Sequence, residues 1–199
     1  AVQAAMQAGD VARLSDLFRP TMSVVTAIGT DHYRSFRGVE GVKREKGAIL
    51  EILPDDGTAF LNADDPNVMD MRAKTRARCV TFGADRGADI RMEGILSAWP
   101  DRLHLDILAG SERVHVETQL VGAHFASAVA AAMAVAYTCG VPLAEATRGV
   151  ASMEPEPARL SPQAGKPGVM FLRDEVKASP LSIPPVIDVL RTARASPTM

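Results

Sequence analysis

MSVVTAIG, residues 22–29, is the stretch on which the fold turns. It is short, almost wholly apolar and rich in β-branched residues, as a strand buried on both faces of a parallel sheet reads. TDHYRSF (30–36) then becomes the loop at the strand's carboxyl end, where open α/β sheets bind their ligands. Upstream, residues 10–18 pattern as a helix with Asp10 as N-cap, Val11, Leu14 and Leu17 or Phe18 on one side, and Pro20 ending it. Downstream, GVKREKGAIL (41–50) is an amphipathic helix closed by Pro54-Asp55-Asp56-Gly57. TAFLNADDP (58–66) is a second buried strand running into an acidic loop. A short helix at 67–75 and a strand at 77–83 complete a βαβαβ rhythm.

Residues 89–120 change period. Leu103, Leu105 and Ile107 face one way and Arg102, His104 and Asp106 the other. Val114, Val116 and Thr118 answer them across an AGSE turn, with His115 and Glu117 outward. This is an antiparallel ribbon with one wet face. HFASAVAAAMAVAYTCG (124–140) is an Ala-rich helix stopped by Gly140, and VPLAEATRGVASM (141–153) is another, with Pro142 near its first turn. EPEPARLSPQAGKPG (154–168) lacks apolar periodicity and marks a domain boundary, with AGKPG a turn. VMFLRDE (169–175) begins a new buried strand, and residues 178–194 hold a helix. The class expected is α/β: a mostly parallel sheet flanked by helices with an added antiparallel β-ribbon (1–155), followed by a truncated second α/β domain (156–199).

The 199 residues are 47% hydrophobic and 23% charged, the composition of a globular chain rather than a disordered one. A net charge of −2 gives no basic field for nucleic acid or anionic lipid, and 5% aromatic residues leave few stacking platforms. No apolar run is long enough for a bilayer, and no signal-peptide pattern opens the chain. Cys79 and Cys139 are isolated and read as buried thiols in a reducing, cytoplasmic setting. The chain begins with Ala rather than Met and reads as part of something longer.

Lys46 is the oddest residue. It falls on the apolar stripe of Val42, Ile49, Leu50 and Leu53, whereas Lys43, Arg44 and Glu45 lie off it. Three readings are open: a lysine that snorkels to water, a buried one with a partner or a lowered pKa, or an amine that takes up carbon dioxide. The last would make it a carbamate, an oxygen ligand for a hard cation such as magnesium. His32 follows the first strand beside Asp31 and is either polar surface or part of a site at the strand end. Asp65 before Pro66 suits a helix N-cap; Asn62 and Asp64 suit it less well. His104, His115, Glu154 and Glu156 read as solvated, and no GxGxxG, HExxH, GxSxG or CxxC is present.

Taken in order, the pieces resemble the central ATPase domain of the Mur ligases. GTDHYRSF followed by EKGAIL is similar to the family's G-x-x-H and A-K-x-x-I, and GTAFLNADD to its G-x-x-x-L-N-A-D-D. GAHFASAVAAAMAVA resembles the G-x-H-N-x-x-N-A-x-A-A helix, PARL the P-G-R-L, and RDEVKASPLS the D-D-x-Y-N-A-N-P-x-S. The pattern is similar to the branch that joins D-alanyl-D-alanine to a UDP-muramoyl-tripeptide. The resemblance implies an ADP-forming amide ligase using ATP and Mg²⁺. A UDP-linked peptide or other small carboxylate would be activated as an acyl phosphate for attack by an amino acid or dipeptide amine. It implies that Lys46 is carbamylated and holds the metal with His32. Asn62 and Asp64 would lie at the nucleotide, His124 near adenine, Arg159 at ATP, Asp174 near the ribose, and Lys177 toward a phosphate or carboxylate.

Several positions depart from the pattern. The family's phosphate loop, which precedes this region, is absent. Val2 or Gln3 stands where its metal-binding glutamate falls, Phe125 and Ala128 replace two asparagines, and Lys177 replaces another. Two alternatives follow: a cyanophycin- or polyglutamate-type ligase of the same superfamily, or a degenerate, non-catalytic nucleotide-binding protein.

Overall fold

The structure, a computed structural model, describes residues 9–29, 36, 38–176 and 183–194. The chain divides into two compact units. One comprises residues 1–91 with 130–135, the other 92–129 with 136–199.

In the first unit, helix α1 (Asp10–Phe18) leads to strand β1 (Met22–Val25) and helix α2 (Val39–Glu51). Strand β2 (Thr58–Asn62), the short helix α3 (Pro66–Met69), a 3₁₀ turn (Asp70–Lys74) and strand β3 (Arg78–Gly83) follow. β1 pairs parallel with β2, and β2 with β3, in the register Val25↔Leu61 and Leu61↔Thr81. The expected βαβαβ order is therefore present. Val25, Ile28, Val42, Leu50, Leu61 and Val68 form its core.

The expectation that residues 22–29 make a strand buried on both faces needs correction. The strand stops at Val25, and its burial alternates: Ser23 and Val25 are buried, whereas Met22 and Val24 are 44% and 41% exposed. Among the described strands β1 stands at the end of the sheet, and the face carrying Met22 and Val24 is open. β2 is the strand that is buried at every position.

Glu45 is the second correction. It is not a solvated charge beside the apolar stripe but a buried carboxylate, 8% exposed. Helix α1 begins after Gly9, which has no side chain to cap the first N–H groups. Glu45 reaches over from α2 and accepts the Gly9 and Val11 amides, both at 2.8 Å. Asp10, expected as N-cap, lies instead in the first turn of α1.

Strand β4 (Ile90–Leu96) opens in the first unit, where Ile90 and Arg91 pair parallel with Phe82 and Gly83 of β3, and continues in the second. The ribbon proper is β5 (His104–Ala109) with β6 (Glu112–Glu117), antiparallel in the register Ile107↔Val114, and the six strands hydrogen-bond in chain order. Leu103, Leu105, Ile107 and Val116 are buried, as the period of two requires. A 3₁₀ turn (Ala123–Phe125) opens helix α4 (Ala126–Thr138), whose residues 130–135 belong to the first unit. Helix α5 (Leu143–Ala151) packs on β6.

The stretch 154–168, read as a domain boundary without apolar periodicity, contains strand β7 (Ser161–Ala164), paired antiparallel with β8 (Met170–Arg173) across the AGKPG turn. β8 was expected to be buried, yet Met170 and Phe171 are about half exposed. Helix α6 (Ile183–Thr192) buries Val189 among Val121 and Leu160. Both cysteines were expected to be buried; Cys79 is half-buried and Cys139 exposed. No helix among the described residues is long and apolar enough to cross a membrane.

Replacing Glu45 with Ala leaves two amides of α1 without their acceptor, and we expect a loss of about 1–3 kcal/mol, with Glu45→Gln losing less. Urea unfolding measures it, and faster hydrogen exchange at the Val11 amide localises it.

Candidate functional site

The segment that leaves β1 is held at three consecutive residues. Asn62 at the end of β2 donates its Nδ2 to the Thr26 carbonyl at 2.8 Å. Lys46 donates its Nζ to the Ala27 carbonyl at 2.9 Å. The Ile28 amide donates to Asp65 Oδ2 at 2.7 Å. Lys46 is half-buried, and its ammonium meets a carbonyl at a strand end instead of the centre of the core. Helical spacing from Val42 puts Lys46 on the inner face of α2, and Asn62 is the last residue of β2, one beyond the Val25↔Leu61 pair.

Asp65 does two things. Its Oδ1 caps α3 by accepting the Asn67 and Val68 amides at 2.9 and 3.4 Å, as the Asp-Pro pair predicts, while Oδ2 reaches back to β1. Asp64 points elsewhere. Its two oxygens accept the Ala84 and Asp85 amides, each at 2.8 Å, and fix the loop after β3. Gly83 makes room for this: a Cβ there would lie 2.7 Å from Asp64 Oδ1. Thr81 and Asp89 close the same loop through hydrogen bonds of 2.7 and 2.8 Å. Nothing in the sequence marks Gly83, Thr81 and Asp89 for this part, because the spacing of a lone Gly-Ala-Asp run carries no such signal.

His32 and Lys177 lie outside the described residues. Among the described residues no three His, Cys, Asp or Glu side chains come together to hold a metal. As an amine, Lys46 fits no magnesium site either, because it donates where a ligand must offer oxygen. Asp64 and Asp65 already accept backbone amides. Addition of carbon dioxide would change the chemistry of Lys46 alone.

The remaining candidates belong to the second unit. His124 sits in the 3₁₀ turn after Gly122, whose φ of +108° and close approach to the imidazole suit only glycine. The His124 and Phe125 rings are 4.2 Å apart. His124 as a residue is exposed, but its ring is crowded on this side. That desolvation holds its pKa below the usual imidazole value, and the charge of Asp174 partly offsets the shift. Asp174 also accepts the Leu160 amide at 3.1 Å, which fixes the turn carrying Arg159. Arg159 and Phe125 line one cavity of about 490 Å³ with Leu120, Met153 and Val176. Thus His124, Phe125, Arg159 and Asp174 gather in one unit, and Lys46, Asn62, Asp64 and Asp65 in the other.

A parallel sheet with polar side chains gathered at strand carboxyl ends defines a class, the α/β proteins that bind ligands at that edge. The chain matches the Mur ligase middle domain over residues 3–136 and belongs to that family. It is 27% identical to the UDP-N-acetylmuramoyl-tripeptide--D-alanyl-D-alanine ligase of Mycobacterium tuberculosis over 181 residues, 90% of this chain and 36% of that protein. The fold matches the crystal structure of MurF from Acinetobacter baumannii with a TM-score of 0.87 at 23% identity, covering 96% of this chain and 41% of that one. It also matches MurF from Thermotoga maritima, solved in complex with ADP, with a TM-score of 0.82 at 22% identity, covering 95% and 43%. The chain therefore spans well under half the length of these relatives.

Two outcomes are expected. Asp65→Ala removes three amide acceptors at once and lowers stability by about 2–3 kcal/mol, read by urea unfolding, with Ile28 losing exchange protection. In an NMR titration His124 takes its proton below the ordinary imidazole range. Asp174→Asn lowers that pKa further, because it removes the charge that raises it. Since the folded pKa is depressed, the contribution of His124 to stability is complete above the unfolded value of about 6.5 and is lost as pH falls through the folded pKa.

Proposed function

We propose that this chain is part of an ATP-dependent amide ligase of the Mur type, comprising most of the central domain (1–155) and the start of the C-terminal domain (156–199). The observation that carries the reading is the three-point hold on Thr26, Ala27 and Ile28, which brings Lys46 and Asn62 to adjacent carbonyls just beyond the carboxyl end of β1. A structural lysine needs no such place, whereas a reacting one gains from a fixed backbone. Lys46 is the residue we assign to carbamylation, with His32 as its partner at a magnesium ion. Asn62 and Asp64 face the nucleotide, and His124, Arg159 and Asp174 serve the base, phosphate and ribose, with Lys177 beside them.

In the reaction, an oxygen of the substrate carboxylate attacks the γ-phosphorus of ATP. The bond to the β-bridging oxygen breaks, and ADP leaves with its electron pair. The acyl phosphate is then attacked at carbon by an amine, which loses a proton, and inorganic phosphate departs. Cationic side chains such as Arg159 offset charge on the transferring phosphoryl group. The carboxylate is a UDP-linked muramoyl peptide and the amine a D-alanyl dipeptide, by likeness to the ligases of that name. The setting is the cytoplasm, where UDP-linked precursors and ATP are available.

In the full-length ligase, Lys46→Ala should lower turnover at least about 100-fold, and added short carboxylic acids should restore part of it. Incubation of the wild type with ¹³C-labelled carbon dioxide should give a carbamate resonance that Lys46→Ala lacks. Full turnover in Lys46→Ala, or no carbamate signal in the wild type, would overturn the role of Lys46.

A further inference from the structure

Arg102 has no part in the ligase reading, yet it is the most conspicuous charge of the second unit. Its Nη1 is enclosed and meets no hydrogen-bond acceptor among the described residues. The guanidinium carbon lies 4.8 Å from the centre of the Trp99 ring, a cation–π contact that fixes the group in place. Burial shifts its pKa downward, the direction expected of a partly desolvated cation. Enclosed in this way, Nη1 is out of a ligand's reach; Arg102 as a whole is half-buried and lines two cavities, so its other N–H groups are the ones a ligand can meet.

Two neighbouring cavities share Arg102, Gln119 and Ala151 in their walls. The smaller, about 420 Å³, also carries Asp101 and Glu117, which repel an anion. The larger, about 470 Å³, is lined further by Ser152, Pro162 and Glu154, and is of the size that holds a small molecule. Arg102 is its one cation and Glu154 its one anion among the described residues. Gln119 is exposed at its wall and adds a neutral donor and acceptor. We propose that this cavity binds a zwitterion, an α-amino acid or short peptide, with its carboxylate on Arg102 and its ammonium toward Glu154. Guanidinium suits a carboxylate in a bidentate fork. A phosphate dianion would face Glu154 with a single cation to hold it, and the pairing of one charge of each sign selects against it.

The chain supplies its own reporter, since Trp99 is its single tryptophan. Glycylglycine titrated into the protein should change Trp99 fluorescence saturably, with a Kd of roughly 1–10 mM, and saturation-transfer NMR should show the same dipeptide bound. Arg102→Met should weaken binding at least about tenfold, and Arg102→Lys less. Glu154→Gln, a change at an exposed position, should weaken glycylglycine while leaving acetate unaffected. No saturable signal by either method in the wild type would overturn the proposal. So would unchanged binding in a folded Arg102→Met or Arg102→Lys protein, or inorganic phosphate binding more tightly than glycylglycine. The titration needs no ATP and no turnover, so it succeeds or fails independently of the ligase reading.

Discussion

The hold on residues 26–28 is the constraint on which the first unit depends. A chain leaving a strand at the carboxyl edge of a sheet has backbone groups with no ladder to join. Here Asn62, Lys46 and Asp65 take those groups one after another. Each comes from a different place: the end of β2, the middle of α2 and the cap of α3. The exit segment is therefore the point where three elements are tied, and its geometry cannot change without disturbing all of them.

Carboxylates do much of the tying. Glu45 joins α2 to the start of α1, Asp65 joins α3 to β1, and Asp64 joins the end of β2 to the loop after β3. In each case the donor is a main-chain amide rather than a basic side chain. Hydrogen bonds from amides to an ionised acceptor contribute more than neutral ones. Those of Glu45 and Asp65 are buried or half-buried and so are screened little by salt, whereas the Asp64 pair is exposed. The surface pairs, such as Lys43 with Asp70 or Arg76 with Asp55, add little beside them.

Much of this was legible in the sequence, for reasons that can be named. β2 and the β5–β6 ribbon show because their period matches their burial, and Asp65 shows because Asp-Pro is a cap with a mechanism. The oddity of Lys46 shows because its position on the stripe is a matter of helical spacing. Glu45 was hidden for the same reason: helical spacing places it off the stripe and says nothing of α1 arriving there with an uncapped end. β7 was hidden because Ser-Pro-Gln-Ala has no apolar alternation, and its strand exists through pairing with β8 alone. β1 misled because an apolar run is equally compatible with a central strand and with an end strand whose outer face lacks a covering layer.

That end strand has a practical consequence. Met22 and Val24 present apolar side chains beside the outermost described strand, and Leu17 and Phe18 stand exposed shortly before it. No described strand pairs with the outer edge of β1, and no lysine or proline within it blunts that edge or its exposed apolar side chains. Handled by itself at high concentration, the polypeptide would tend to self-associate through β1. Solubility in the test tube would then be limited by the strand from which the fold was first read.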